Sequence, residues 1–219
     1  MTPTDASHEC KRICSLAPVI PVLEVLDASS ATGLAKALIA GGLPVLEVTL
    51  RTADALDAIA AMADVAGGVV GAGTLLTPED VKSAKAAGAT FGVSPGATDE
   101  LLQACEDADL PLLPGAATAS EVMRLLQRGY CMQKFFPAGA SGGAPAIKAL
   151  GGPFPRVSFC PTGGVTFKNA GDFLQLNNVT CVGGSWVAPK TLVAAQDWDA
   201  ISSLARESIS IVPHARRSR

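Results

Sequence analysis

Short runs of β-branched and other apolar residues alternate along the chain with stretches rich in Ala, Leu and Glu, at intervals of roughly 20 to 30 residues. This alternation is typical of parallel strands joined by crossover helices. Eight runs have the composition of buried strands: VIPVLEV (19–25), PVLEVTL (44–50), GVVGAG (68–73), TFGVS (90–94), PLLPG (111–115), MQKFFP (132–137), RVSFCPT (156–162) and VTCVGG (179–184). The pattern therefore predicts an α/β fold, a closed (β/α)8 TIM barrel.

The segments between these runs predict helices that return the chain to the other end of the barrel. Five of them begin with Ser, Thr or Asp, the residues that cap helix N-termini, and several end in Gly. The sixth, SGGAPAIKALGG, is interrupted by glycine and proline, so its helix is weakly specified. We expect one domain over residues 1–219, with an N-terminal extension or helix at 1–15 and a basic tail at 213–219.

Composition narrows the classes of protein that fit this pattern. Hydrophobic residues make up 48% of the 219 positions and charged residues 17%, which is enough apolar material for one sizeable core. The chain has no run of apolar residues long enough to span a bilayer, and its N-terminus lacks the apolar stretch of a secretory signal. A net charge of -3 without a basic stripe gives no footprint for nucleic acid. We expect a cytoplasmic protein without membrane or nucleic-acid partners.

Cysteine and histidine usage excludes several kinds of site. The six cysteines are scattered without a C-x-x-C pair, so a disulfide framework is not expected. The two histidines, His8 and His214, both lie in terminal segments, where a histidine-rich metal site or a serine-histidine triad is hard to assemble. Acid-base chemistry is therefore expected to use carboxylate, lysine or water, with no metal.

Lys134 interrupts the apolar run MQKFFP and is the only one of the eight lysines within a predicted strand. Side chains alternate along a strand, so Met132, Lys134 and Phe136 share one face, near the C-terminal strand ends where barrel sites gather. If that face is the interior, an apolar surround disfavours the ammonium and favours a neutral amine, a nucleophile for a substrate carbonyl. The alternative is a structural ion pair, or a stem packed along the core with its head at the rim.

The motif EVTLR places Glu47, Thr49 and Arg51 on one strand face by the same alternation. Glu47 and Arg51 lie about 13 Å apart along a strand, so we do not expect them to be each other's simple partner. Glu47 is then available to move protons near Lys134, and Arg51 to hold a substrate carboxylate through two hydrogen bonds. The alternative is an interior polar network bridged by water.

Glycine pairs end the last two predicted strands, in PTGG (161–164) and GGS (183–185). Loops after the seventh and eighth strands of many barrels offer backbone N–H groups and a hydroxyl to a phosphate. Gly163, Gly164, Gly184 and Ser185 are therefore candidates for a phosphate cradle. The alternative is that these glycines serve turn geometry alone, since tight turns between strand and helix also use glycine.

Seven short motifs, in this order and spacing, resemble the 2-keto-3-deoxy-6-phosphogluconate (KDPG) aldolase family, some members of which also cleave 4-hydroxy-2-oxoglutarate (KHG). The motifs are EVTLRT, VGAGT, SPG, PLLPG, KFFPA, FCPTGG and VGGSW. The resemblance runs from about residue 16 to about residue 210. It implies a class I aldolase of the (β/α)8 type that cleaves KDPG to pyruvate and D-glyceraldehyde 3-phosphate, without metal or cofactor, as a homotrimer.

The resemblance also implies a role for individual residues. The lysine of KFFP is Lys134, as the Schiff-base former, and the glutamate of EVTLR is Glu47, as the acid-base residue. Arg51 of the same motif and Thr74 of GAGT are expected at the pyruvoyl carboxylate. Further matching positions are Pro95, Phe136 and Thr162 in the substrate channel and Gly163, Gly164 and Ser185 at the phosphate.

One loop departs from the commoner family pattern: GASGGAPAIKAL follows KFFPA in place of a form with an acidic residue and no interior proline. Because residues 139–150 are expected to border the site, substrate preference stays open. Alternatives are an aldolase of the same family that prefers the galactonate epimer or 4-hydroxy-2-oxoglutarate, and a non-catalytic barrel that binds a phosphosugar.

Overall fold

The computed structural model describes residues 1–211, so the basic tail predicted at 213–219 and His214 lie outside the described residues. The strands are β1 (Val19–Leu23), β2 (Val45–Thr49), β3 (Val69–Gly73), β4 (Phe91–Val93), β5 (Leu112–Leu113), β6 (Gly115–Ala116), β7 (Met132–Phe135), β8 (Ser158–Pro161) and β9 (Val182–Gly184). The helices are α1 (Pro3–Cys14), α2 (Ala31–Ala40), α3 (Ala55–Ala63), α4 (Pro78–Ala86), α5 (Asp99–Asp107), α6 (Ala119–Arg128), α7 (Gly143–Gly151), α8 (Ala170–Leu174), α9 (Lys190–Ala194) and α10 (Trp198–Ile209).

The strands form curled parallel sheets, which confirms the α/β class. One sheet has the order β5-β4-β3-β2-β1-β9 and the other the order β6-β7-β8. Parallel bridges join Phe159 to Val179 and Thr162 to Gly183, so the end of β8 lies beside β9. The predicted fifth strand is split into β5 and β6 at Pro114, because proline has no amide hydrogen with which to continue a ladder.

The helices lie where the sequence predicted them, but only some of them have the predicted side-chain hydrogen bond at the N-terminus. The side chains of Thr77, Thr98 and Thr118 accept N-terminal amides of α4, α5 and α6, whereas Ser30 and Asp54 make no such bond at α2 and α3. The weakly specified sixth connector forms α7, whose Ile147 is fully buried, so tertiary packing outweighs its poor helix composition. Within residues 1–211, no helix has both the length and the apolar character needed to cross a membrane.

Two apolar clusters divide the interior, and they fix which strand face points inward. The larger cluster lies between the sheets and the helices, and it includes Phe135 and Phe159. The smaller, here called the inner cluster, lies inside the curled sheets and comprises Cys10, Ile13, Cys14, Ile20, Val45, Phe91, Val93, Leu113, Met132, Cys160 and Cys181. Val45 and Met132 are thus inward-facing, and alternation gives Glu47 and Lys134 the same direction.

Helix α1 covers the N-terminal end of the strands. Its Cys10, Ile13 and Cys14 belong to the inner cluster. The buried Ser7 hydroxyl accepts the amides of Cys131 at 2.8 Å and of Met132 at 2.9 Å, which anchors the helix to β7. All six cysteines carry free thiols. The opposite, C-terminal strand ends, here called the mouth, are the end at which the predicted site residues gather.

Candidate active site

Lys134 and Glu47 form a buried pair inside the curled sheets. The Lys134 Nζ atom lies 3.2 Å from Glu47 Oε1, and the two side chains are 6% and 4% exposed. Their strands, β7 and β2, are not neighbours in either sheet, so the contact joins the two curled sheets across the interior between them rather than running along a ladder. A primary amine beside a carboxylate in a dry site can pass it a proton and become a nucleophile.

Two further groups shape this pair. The Phe136 ring lies with its centroid 5.2 Å from Lys134 Nζ, and it covers the amine with an apolar face. Gly73, at the end of β3, leaves the space that the Glu47 carboxylate fills, because a Cβ there would come within 2.4 Å of Oε1. The second glycine of the VGAGT motif is therefore needed to leave room for the Glu47 side chain.

Arg51 lies at the mouth, just beyond β2, and is half-exposed. Its Nε donates to Thr49 Oγ1 at 3.2 Å, and Thr49 in turn donates to the Leu23 carbonyl at 2.9 Å. The guanidinium lies 3.8 Å from a carboxylate oxygen of Glu24. Arg51 and Glu47 are therefore separate, as the sequence predicted.

Thr74 and Pro95 follow β3 and β4 at the same end. Thr74 has a φ of 64°, a left-handed conformation that is uncommon for a β-branched residue. Pro95 comes so close to the β6 backbone that a Cβ on Gly115 would lie 2.2 Å from the Pro95 carbonyl oxygen. The left-handed conformation of Thr74 and the close packing of Pro95 against Gly115 thus fix both residues at this end of the strands.

The glycine-rich loops after β8 and β9 lie side by side. Thr162 is buried, and its hydroxyl occupies the space above Gly183, where a Cβ would be 2.4 Å from Oγ1. Gly163 and Gly164 have φ values of 89° and 77°, which other residues rarely adopt. Ser185 follows β9 and is exposed.

Unused backbone donors in these loops have the chemistry of an anion site. Among residues 1–211, the amides of Gly164 and Ser185 donate to no protein acceptor. Gly184 lies beneath the Trp186 ring, where a Cβ would come within 1.9 Å of the ring, so it shapes the loop. Two free N–H groups and one hydroxyl are donors that a phosphate can use.

Comparison with known proteins identifies the family. The family model for KDPG and KHG aldolases matches residues 10–204, which include every residue predicted for the site. The chain belongs to the KDPG and KHG aldolase family. The buried lysine-glutamate pair of this family member therefore lies within a match that spans nearly the whole chain.

Relatives of this KDPG and KHG aldolase family member are similar over almost their full lengths. The 2-dehydro-3-deoxy-phosphogluconate aldolase of Pseudoalteromonas atlantica is 51% identical over 199 residues, which cover 90% of this chain and 93% of that one. The KDPG aldolase structure of Zymomonas mobilis ZM4 with 3-phosphoglycerate has a TM-score of 0.90 and 44% identity, and it covers 95% of this chain and 99% of that one. The Legionella pneumophila KDPG aldolase, with pyruvate captured at low pH as a covalent carbinolamine intermediate, has a TM-score of 0.88 and 45% identity over 91% and 97% of the chains.

Sequence analysis did not identify two charged residues, Glu24 and Lys190, that lie at the mouth of this aldolase family member. Glu24 follows β1, and its Oε1 accepts a hydrogen bond from Lys190 at 2.9 Å while its Oε2 faces Arg51. The bond from Lys190, together with the charges of Lys190 and Arg51, lowers the pKa of the Glu24 carboxyl below its ordinary value. Alternation in VIPVLEV gives Glu24 the direction of the inward-facing Ile20, a signal that could have identified it.

Proposed function

We propose that this chain is a class I aldolase that cleaves KDPG to pyruvate and D-glyceraldehyde 3-phosphate through an imine on Lys134. The observation that carries the proposal is the 3.2 Å contact between the Lys134 amine and the Glu47 carboxylate in the enclosed interior. The names of the relatives and the family match support the same reaction. The non-catalytic alternative assigns the same pair a structural role only.

The chemistry begins with transfer of a proton from Lys134 to Glu47, which leaves a neutral amine. The amine attacks the C2 ketone to give a carbinolamine, and Glu47 returns its proton to the carbinolamine hydroxyl, which leaves as water to give the protonated imine and a Glu47 carboxylate again. Glu47, directly or through one water, takes the C4 hydroxyl proton as the C3–C4 bond breaks, and the bonding electrons form an enamine on the pyruvate half. Protonation of the enamine at C3 by way of Glu47, followed by hydrolysis of the imine, releases pyruvate.

The two ends of the substrate are assigned to different loops at the mouth. Arg51 and Thr74 bind the pyruvoyl carboxylate, for which a guanidinium offers two parallel donors. Pro95, Phe136 and Thr162 line the channel. The phosphate is held by Gly163, Gly164, Gly184 and Ser185, in keeping with the free amides of these loops.

Steady-state cleavage of three substrates tests the proposal. We expect kcat/KM to be highest for KDPG, lower for the galactonate epimer, and measurable for 4-hydroxy-2-oxoglutarate, since the family includes both KDPG and KHG aldolases. Binding of KDPG without turnover would establish the non-catalytic alternative. A higher kcat/KM for 4-hydroxy-2-oxoglutarate or for the galactonate epimer would reassign the substrate but keep the imine chemistry.

We also propose that the strands close into an eight-stranded (β/α)8 barrel in which β5 and β6 together supply one strand of the wall. The bridges between β8 and β9 support closure on one side, and the single residue between β5 and β6 supports it on the other. The chain forms a single domain that assembles as a homotrimer. Sedimentation should give the mass of three chains of 22.2 kDa.

A further inference from the structure

The mouth holds a three-residue charge cluster that the proposed mechanism does not use as a unit. Glu24 lies at its centre, with Lys190 Nζ 2.9 Å from one carboxylate oxygen and Arg51 3.8 Å from the other. The three residues follow β1, β9 and β2, which are consecutive in the order β9-β1-β2. The cluster therefore connects the loop after β9, which is proposed to bind phosphate, with Arg51, which is proposed to bind the carboxylate.

The proposed phosphate cradle contains amides and a hydroxyl but no cation. A phosphate monoester carries close to two negative charges at neutral pH, and charged donors bind it about twice as strongly as neutral ones. Lys190 begins α9, at the end of the loop that starts with Ser185 after β9. Its ammonium has three protons, and the bond to Glu24 uses one of them, so two remain for another anion.

We propose that Lys190 is the cation that binds the substrate phosphate and that Glu24 is a positioning residue that holds its amine over the mouth. The inference rests on the proposed function and adds to it a determinant of preference for phosphorylated substrates. Lys168 is the competing candidate, because it lies on the loop after β8, close to Gly164 in sequence. Among residues 1–211 it has no ion-pair partner that directs its amine to the mouth, unlike Lys190.

Aldol condensation of pyruvate with either D-glyceraldehyde 3-phosphate or D-glyceraldehyde separates phosphate binding from the chemistry. The measured quantity is the ratio of kcat/KM for the phosphorylated aldehyde to that for the unphosphorylated one. Lys190→Met should lower this ratio about ten-fold or more, because it removes the cation that only the phosphorylated aldehyde uses. Lys168→Met is the matched control and should keep the ratio of the unmodified protein.

The position of the lysine is tested at Glu24. Glu24→Gln retains an oxygen that can accept the Lys190 hydrogen bond and should keep most of the ratio, whereas Glu24→Leu retains none and should lower it. An unchanged ratio in Lys190→Met, or an equal fall in Lys168→Met, would overturn the assignment of Lys190. Equal ratios in Glu24→Gln and Glu24→Leu would overturn the positioning role.

A separate experiment distinguishes failure of the proposed function from failure of this inference. Borohydride trapping of pyruvate on the unmodified protein reports the imine and involves no phosphate. If trapping occurs and the ratio is insensitive to Lys190→Met, only the inference fails. If pyruvate is not trapped, the proposed aldolase mechanism fails first.

Discussion

Glu47 is the residue that we propose carries protons to and from Lys134. Its carboxylate is buried against the amine, so it can exchange protons with both the lysine and a bound substrate. We expect Glu47→Gln to lower kcat for KDPG cleavage by about 100-fold to 10,000-fold, because a positioned general acid-base group contributes that much. Exchange of the pyruvate methyl protons with deuterated water should fall with it.

A matched control for this variant is Glu79→Gln, which removes a carboxylate from the exposed surface of α4. It should leave both cleavage and exchange unchanged. If Glu47→Gln kept normal exchange of the pyruvate methyl group, Glu47 would not be the proton carrier.

Gly73 tests whether the position of the Glu47 carboxylate matters. A methyl group at residue 73 would lie 2.4 Å from Oε1 and must displace it. Gly73→Ala should therefore lower kcat by about ten-fold or more, since displacements of about 1 Å in a site cost on the order of 100-fold. Gly171→Ala is the control, because the nearest atom that its added Cβ would meet outside the local helix backbone is 3.9 Å away. Equal activities in the two variants would show that the carboxylate position is not critical.

At the residue scale, strand periodicity was sufficient to predict that Lys134 and Glu47 face the interior, but not which loops contact each other. Alternation in MQKFFP and EVTLR predicted the shared direction of Lys134 and Glu47. It could not reveal the pair of Lys190 and Glu24, which are 166 positions apart. A charge at the end of a strand also fits an exposed loop equally well.

At the scale of single elements, helix α1 is the one whose packing partners the sequence did not predict. The segment 1–15 was predicted only as an extension or helix, because its length and composition do not say what it packs against. In the structure, Ser7 satisfies two buried backbone amides at the start of β7. The helix thus forms a floor beneath the site, at the N-terminal end of the strands.

Removing that hydroxyl should weaken the floor. Ser7→Ala leaves two buried N–H groups without their acceptor, so we expect the free energy of unfolding in urea to fall by about 2 kcal/mol. Ser15→Ala removes an exposed hydroxyl that bonds to Lys11 at the end of the same helix, and it should change stability by less than about 0.5 kcal/mol. Similar effects of the two substitutions would contradict an anchoring role for Ser7.

Helix α7 illustrates the other limit of prediction from sequence. Glycine and proline in SGGAPAIKALGG lowered its helix signal, yet it forms nine residues of helix. Burial of Ile147 in the core supplies a stabilisation that local composition does not contain. Strong local signals, such as the Thr and Glu capping box of α6, were sufficient where they occurred.

At the scale of the whole molecule, the buried thiols set a limit on alkaline stability. Burial raises the pKa of Cys105 from about 9 to about 12. Above pH 9 the unfolded chain loses a proton that the folded chain keeps, so stability contributed by this group is complete below pH 9 and declines as the pH rises. One such group lowers the free energy of unfolding by about 1.4 kcal/mol per pH unit.

Unfolding in urea at several pH values between about 8 and about 11 measures this slope. Cys105→Ala should have a shallower decline than the unmodified protein above about pH 9 and the same slope below about pH 8. Parallel curves for the two proteins over the whole range would show that Cys105 does not carry the effect.

The fold as a whole was predictable because its signal repeats. Eight strand runs separated by helical stretches predicted the parallel α/β architecture, and even an error such as the unsplit strand at 111–115 left the order of elements intact. The site could be located from that order, since a parallel arrangement brings the C-terminal strand ends together. The charge cluster around Glu24 depends on loop conformation, which has no comparable repetition in the sequence.

The most direct test of the central claim is to map the adduct formed when the protein is treated with pyruvate and borohydride. An imine on Lys134 would be reduced to a stable secondary amine, so mass spectrometry should find one pyruvate-derived adduct per chain, on the peptide that contains Lys134. Lys134→Met should give no adduct. Cleavage of KDPG without any adduct, or an adduct confined to another lysine, would contradict the account.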